Sequence, residues 1–363
     1  MLADIFSCLG HLILTCFKAS VEKSTFWRYL WIALIPGFLN LAVAQAGQSV
    51  LEGKTLISSS PNWSDAKQLI KKEKWNEAAN VLRVLNLQNP RDASVVDALS
   101  AVLIRIGNRA SAVQVLLQFS EKLNSKEKQR MISRSQILSR TFISNAWFER
   151  YQEGLNALLG KKYRNAQEKF ERVLAEDPQN CEVLIKLGQC LILEGEFDAA
   201  LQRLSLAKSI NPTDSEAILW LGKAYLSRGN SKDALRELRS LDPEMRRTEI
   251  AVLATAEAQS LAGQHGLALR TLQLDLDEHP LHVRALVFSA KIKLQTARTD
   301  LDALWSARKD LQLAWSRVEN YDSDETPDRE FGLVTRRSAE DLKSEIQKLL
   351  QLVQTRIDET PHR

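Results

Sequence analysis

The chain has 363 residues, a formal net charge of +4 at pH 7 and a charged fraction of 26%. So small a positive excess argues against nucleic acid as the default partner, which calls for a concentrated basic surface. Glycine and proline number only 14 and 9, a composition that suits an all-helical chain better than a turn-rich β fold.

At the amino terminus, residues 26–46 have the layout of a secretory signal peptide. Lys23 and Arg28 supply a basic start, 29–43 is an apolar run containing Pro36, and Ala44-Gln45-Ala46 is a small-x-small pattern whose cleavage leaves Gly47 first. That run is short against the about 20 apolar residues of a membrane span. The alternative is an uncleaved anchor made of residues 26–46. Residues 1–20 carry a second apolar patch and Asp4 but no preceding basic residue; a start of translation at Val21 removes them. Cys16 follows Ile13-Leu14-Thr15, a poor match to a lipidation box. Residues 47–58 read as a flexible leader.

From residue 59 the chain repeats itself. Ala66, Leu69, Ala78, Leu82 and Leu85 return 34 residues later as Ser100, Leu103, Ala112, Leu116 and Phe119. These are two repeats, within 59–120. The phase then slips by about 20 residues, and the inserted stretch, 121–146, reads as a basic spacer helix. Its cations are Lys122, Lys126, Lys128, Arg130, Arg134 and Arg140. Two readings follow: a solvated helix face, or an electropositive patch for anionic lipid or an acidic partner.

The main array runs over 147–282 in four repeats. Gly154, Gly188 and Gly222 superpose at the 34-residue period, as do Ala166, Ala200, Ala234 and Ala268, and Gly195, Gly229 and Gly263. Phe170, Leu204, Leu238 and Leu272 fall in one phase, and Pro178 and Pro212 end helices. A fixed period of this length is the signature of stacked helical hairpins. Asp242-Pro243 comes early in the third repeat, so its exit loop should differ. Residues 283–320 read as a degenerate repeat: a helix over 286–297 suits the first half of an incomplete hairpin, and Leu301, Leu304, Arg308, Leu311, Trp315 and Val318 then recur every three to four residues. Residues 321–332 form an acidic linker broken by Pro327. A last helix over 333–358 carries the stripe Leu342, Ile346, Leu349, Val353 and Ile357, suited to capping the end of the stack.

The Leu184-x-x-Leu187-Gly188-x-x-Leu191, Ala200-x-x-x-Leu204 and Asn211-Pro212 pattern resembles the tetratricopeptide repeat family. The resemblance is strong over 147–280. It implies an all-α, right-handed superhelical solenoid of antiparallel helical hairpins, about six repeats long, whose first helices line a groove for a peptide or partner helix. Helical periodicity puts Phe148, Tyr151, Leu155 and Leu158 on that face in one repeat, then Ile185, Gln189 and Ile192, then Leu219, Lys223 and Leu226. The face reads as apolar. Family members that grip a carboxyl terminus use basic and polar groove residues; Tyr151, Ile185 and Leu219 stand there instead, which argues against a carboxylate clamp. An apolar groove either binds a segment of another protein or is filled by this chain's own carboxy-terminal helix or by inter-repeat packing.

No catalytic constellation, phosphate loop, cofactor site or metal motif is legible. His279 and His282 flank Pro280-Leu281 without a nearby cysteine cluster, and His265 stands alone in a turn. Cys181 and Cys190 lie on one predicted helix, about 13 Å apart, too far for a disulfide. The expectation is a non-catalytic, exported scaffold or adaptor of the cell envelope, periplasmic or secreted, binding another protein without nucleic acid or cofactor. The alternatives are a membrane-anchored assembly factor that keeps residues 26–46, and an accessory subunit of an envelope enzyme.

Overall fold

A computed structural model describes residues 62–280, 282–297, 300–319 and 339–360. The signal-peptide, cleavage-site (Ala46, Gly47), leader and acidic-linker readings lie outside the described residues. These belong to a unit of residues 61–363, with 1–60 a separate unit.

Among the described residues every regular element is a helix. Two pairs open the chain: α1 (Trp63–Lys71) with α2 (Trp75–Gln88), and α3 (Ala93–Arg105) with α4 (Arg109–Ser120). The single helix α5 (Ser125–Arg140) follows. Then come α6 (Asn145–Leu159) with α7 (Tyr163–Glu176), α8 (Cys181–Glu194) with α9 (Phe197–Ile210), and α10 (Ser215–Ser227) with α11 (Ser231–Arg239). A one-turn helix, α12 (Pro243–Arg246), precedes α13 (Glu249–Leu261) with α14 (His265–Glu278). The last elements are α15 (Val283–Ala297), α16 (Leu301–Glu319) and α17 (Ala339–Glu359).

Local chemistry explains the boundaries. Asn62, Asp92, Asn124, Asn180 and Asp214 each accept hydrogen bonds at a helix start from amides that lack partners within the helix. Pro243 occupies the first turn of α12, where its missing amide costs nothing, and Asp242 caps it. This one-turn helix is what the early proline makes of the third repeat's exit.

Each of the first six pairs turns through one left-handed residue. Gly107, Gly195, Gly229 and Gly263 have φ between 75° and 83°, where glycine carries no steric penalty. The same turn position in the first and third pairs holds Glu73 and Lys161, both at φ 56°.

Helices within a pair approach closely where the first one carries glycine. A Cβ built on Gly188 would lie 2.5 Å from Leu204 Cγ, and one on Gly154 would lie 2.5 Å from Phe170 Cε1. Ala66, Ala78, Ala112, Ala166, Ala200, Ala234 and Ala268 are fully buried; all but Ala66 are the small residues that the second helix presents in return. First helices of successive pairs also touch one another, α8 with α10, α10 with α13 and α13 with α15. They therefore share one continuous face.

The chain departs from the sequence reading in two places. Residues 283–319 are not an incomplete hairpin: α15 and α16 pack along their lengths as a full pair, the seventh. Their core includes Leu286, Ala290, Leu294, Leu304, Ala307, Leu311 and Ala314. The family spacing fades there because α16 has 19 residues, so its contacts are met without the 34-residue phase. The described part of the last helix begins at Ala339, and α17 lies mainly on α16. Ile346, Val353 and Ile357 are buried in that contact.

Candidate functional site

Two arginines fix α5 against the main array. Arg140, its last residue, donates from Nε and Nη2 to both carboxylate oxygens of Asp214, at 3.0 and 2.6 Å. Its Nη1 reaches Glu182 at 2.9 Å and Glu216 at 2.7 Å. Glu182 and Glu216 stand one period apart in the first turns of α8 and α10, where amide dipoles favour negative charge. Lys186 Nζ donates to Glu216 at 3.0 Å, and the Tyr151 hydroxyl donates to Glu182 at 2.6 Å. Burial works against the charge on Arg140, but Asp214, then Glu216 and Glu182, outweigh it and raise its pKa. Burial, followed by Glu182, raises that of Tyr151.

Arg109 on α4 is the second anchor and is fully buried. Its Nε and Nη2 donate to Asp177 at 2.9 and 2.5 Å, while Nη1 and Nη2 satisfy the Leu138 and Thr141 carbonyls at 2.7 and 2.6 Å. One guanidinium thus joins α4, the end of α5 and the loop entering α8. Just beyond α5, Phe142 stacks on Tyr151 with ring centroids 4.9 Å apart and meets Phe148 edge-on. The chain's own spacer covers that end of the first-helix face.

The residues expected in an open groove divide accordingly. Tyr151, Leu158, Ile185, Gln189, Leu219 and Leu226 are buried, Leu155, Ile192 and Lys223 half-buried, and Phe148 exposed. The buried ones lie between hairpins, the inter-repeat packing that is the alternative to an open apolar groove. On α8 the partly exposed residues are Glu182, Lys186, Ile192, Leu193 and Glu194. The basic patch divides as well. Arg140 is consumed by its acids, Arg134 pairs with Asp97 at 3.2 Å, and Lys122 donates to the Pro90 carbonyl at 3.3 Å. Lys126, Lys128 and Arg130 are exposed on the amino-terminal half of α5.

What the first-helix face does present is a charge ladder. Lys223, Glu257 and Lys291 recur every 34 residues on α10, α13 and α15, at the phase that on α8 holds the buried Gln189. Lys223 Nζ sits 4.4 Å above the Trp220 ring, a cation–π contact. Burial lowers its pKa to about 8, with Glu257 opposing and Arg284 assisting. Burial raises that of Glu257, against Lys223 and Lys291. At the far end Lys291 pairs with Glu345, which ties α15 to α17. Between the α5 clasp and the α17 clasp lies the stretch carrying Lys223 and Glu257. The sequence holds this signal in the alternating charge at one repeat phase.

Cys181 and Cys190 are free and buried, and burial pushes both thiols up to about 12. Near the end of α14 the fold brings Asp275 between His279 and His282. Reading the two histidines without the aspartate four residues earlier hides that cluster.

Residues 157–217 and 194–259 match the tetratricopeptide repeat family model. Residues 157–259 are tetratricopeptide repeats. Its repeats have solved counterparts of low identity. PilW, described as a type IV pilus biogenesis factor, is 21% identical over 60% of this chain and 91% of its own, with a TM-score of 0.46. A thermophilic tetratricopeptide repeat protein of Thermus thermophilus is 18% identical over 56% and 99%, with a TM-score of 0.45. One from Parabacteroides merdae is 17% identical over 80% and 96%, with a TM-score of 0.39. No curated protein matches the chain in sequence. Among the described residues no helix is long and apolar enough to cross a membrane.

Proposed function

We propose that this tetratricopeptide repeat protein is a non-catalytic scaffold or adaptor of the cell envelope that holds a partner protein on its first-helix face. The observation that carries this reading is the unclasped stretch of that face, where Lys223 over Trp220 adjoins Glu257. Lys223 is half-buried and Glu257 is exposed, so a partner can reach both, and groups of opposite sign on it complement them. Both ends of the face are taken by the chain itself, through Arg140 and Lys291. The partner is therefore a short segment of mixed charge rather than a long apolar helix. The envelope assignment is supported by the signal-peptide pattern in residues 26–46.

Photocrosslinking in the native host tests the surface. A benzophenone amino acid at Lys223 or Glu257 should capture one defined protein, and the same group at Arg203 or Lys232 on the second helices should not. Equal capture from both faces, or none from the first, refutes the assignment. Mass spectrometry of the amino terminus in soluble and membrane fractions tests the location. A soluble species beginning at Gly47 supports export; an intact terminus in the membrane fraction favours the anchored assembly factor.

A further inference from the structure

We propose that Asp275, His279 and His282 form a binding site for one divalent transition-metal ion of the zinc class. Asp275 lies in the last turn of α14 and is almost fully buried. At the 34-residue period its counterparts are Val173, Ala207 and Leu241, all buried and apolar. A carboxylate at this packing position is a departure that the hairpin itself does not require. The same repeat carries two further changes. His279 and His282 occupy the phases of Asn211 and Asp214, which in their own repeat form the turn and cap α10.

All three departures converge on one point. His282 Nδ1 is 2.8 Å from one carboxylate oxygen of Asp275, and His279 Nδ1 is 3.4 Å from the other. The two imidazoles stack, with centroids 4.8 Å apart and planes 14° apart, and the ligand atoms of all three residues lie within 4.8 Å of one another. Around a tetrahedral zinc ion, nitrogen and oxygen ligands at about 2.0–2.1 Å from the metal are separated by about 3.3 Å. The two nitrogen–oxygen spacings bracket that value, so a modest rotation of the outward-facing imidazoles brings the three groups onto one ion.

The donor set selects the ion. Two neutral imidazoles and one carboxylate suit zinc and its neighbours, whereas magnesium and calcium prefer all-oxygen shells. The Asp275 side chain is 3% exposed, that of His282 25% and that of His279 45%. The carboxylate is thus held inside the hairpin while the imidazoles face outward. Three protein ligands leave one coordination position to water or to a partner's side chain. The competing arrangement is a metal-free one, in which Asp275 simply accepts from both imidazoles at a helix end.

Zinc titration of the purified chain against a chromophoric chelator separates the two, with cobalt(II) absorption as a second readout. The site requires one equivalent of zinc bound by wild type and a tetrahedral cobalt(II) spectrum. H279Q and H282Q should each weaken zinc by more than about tenfold, a loss seen even for outer-shell changes at metal sites. H265Q, whose histidine lies in another turn, should bind as wild type does. Both histidine variants alter exposed or half-exposed side chains, and circular dichroism establishes that they fold. Undiminished zinc binding by the H279Q/H282Q double variant overturns the site, as does equal uptake of magnesium, or a wild type that binds no zinc at all.

Discussion

Gly188→Ala tests how the hairpins are held together. The added methyl would sit 2.5, 2.7 and 3.0 Å from Cγ, Cδ2 and Cδ1 of Leu204. Non-bonded carbons prefer about 3.5–4.0 Å, so the overlap approaches about 1 Å. Leu204 is fully buried and cannot swing away, and the turn at Gly195 ties α8 closely to α9. Overpacking of this kind costs about 1–3 kcal/mol, offset by about 1 kcal/mol because alanine is the better helix former. The net expectation is a destabilisation of up to about 2 kcal/mol. Gly222→Ala is the control, because its nearest contacts, to Leu238, are 3.0 Å and involve a side-chain end. It should be close to neutral. Leu204→Ala alone should cost about 2–5 kcal/mol as a cavity, but the Gly188→Ala/Leu204→Ala pair should cost less than the sum by about 1–2 kcal/mol. Urea denaturation followed by circular dichroism and by intrinsic tryptophan fluorescence measures the cycle, two probes being needed because a repeat array need not unfold in one step. Additivity of the two changes, or a stabilising Gly188→Ala, would show that close helix approach is not what this glycine provides.

Three further outcomes follow from the described geometry. Lys161→Gly should stabilise the chain by about 1 kcal/mol, since Lys161 sits at φ 56° where a side chain is strained and glycine is not; thermal denaturation checks it. Asp177→Ala should cost about 3–5 kcal/mol because it strands the fully buried Arg109, whereas Glu168→Ala, which breaks the exposed pair with Arg172, should cost less than about 0.5 kcal/mol. Lys223 has a folded pKa of about 8, below its ordinary 10.5, so between those values the unfolded chain binds more protons and stability rises with pH. Relative to Lys223→Met, wild type should gain up to about 3 kcal/mol across that window in denaturation curves taken at a series of pH values. A flat difference curve would mean that the ammonium is well solvated.

The sequence made the hairpins legible because their requirements are local and repeated. Gly195, Ala200 and Leu204 recur since every pair needs a left-handed turn, a small residue and a filling side chain. The face was harder to read. Periodicity named the right helices but not which of their residues pack between hairpins: Ile185, Leu219 and Leu226 are buried there, while Lys223 at the expected phase is half-buried. The α5 clasp could not be read at all, because Arg140 meets Glu182, Asp214 and Glu216 across 42 to 76 residues of chain. The seventh pair is legible as two helices but not as a repeat: once α16 lengthens, its packing is sound but the 34-residue period that would pair it with α15 is gone.

Function in such an array belongs where the period is broken or where one phase changes its chemistry. Positions that repeat their identity carry the packing, which is alike in every hairpin and so cannot distinguish one partner from another. The clasp arises from an insertion out of phase, the ladder from one phase that reads Gln189, Lys223, Glu257 and Lys291, and the Asp275 cluster from three changes within one repeat. Each costs folding energy: a buried carboxylate needs partners, and a desolvated lysine is partly neutralised. Interhelical packing alone would be served as well or better by the residues used in neighbouring repeats. Arg140 answers this with a fixed junction to Glu182, Asp214 and Glu216, and the proposed partner at Lys223 and Glu257 and the proposed ion at Asp275 are the two answers that the crosslinking and zinc titrations test.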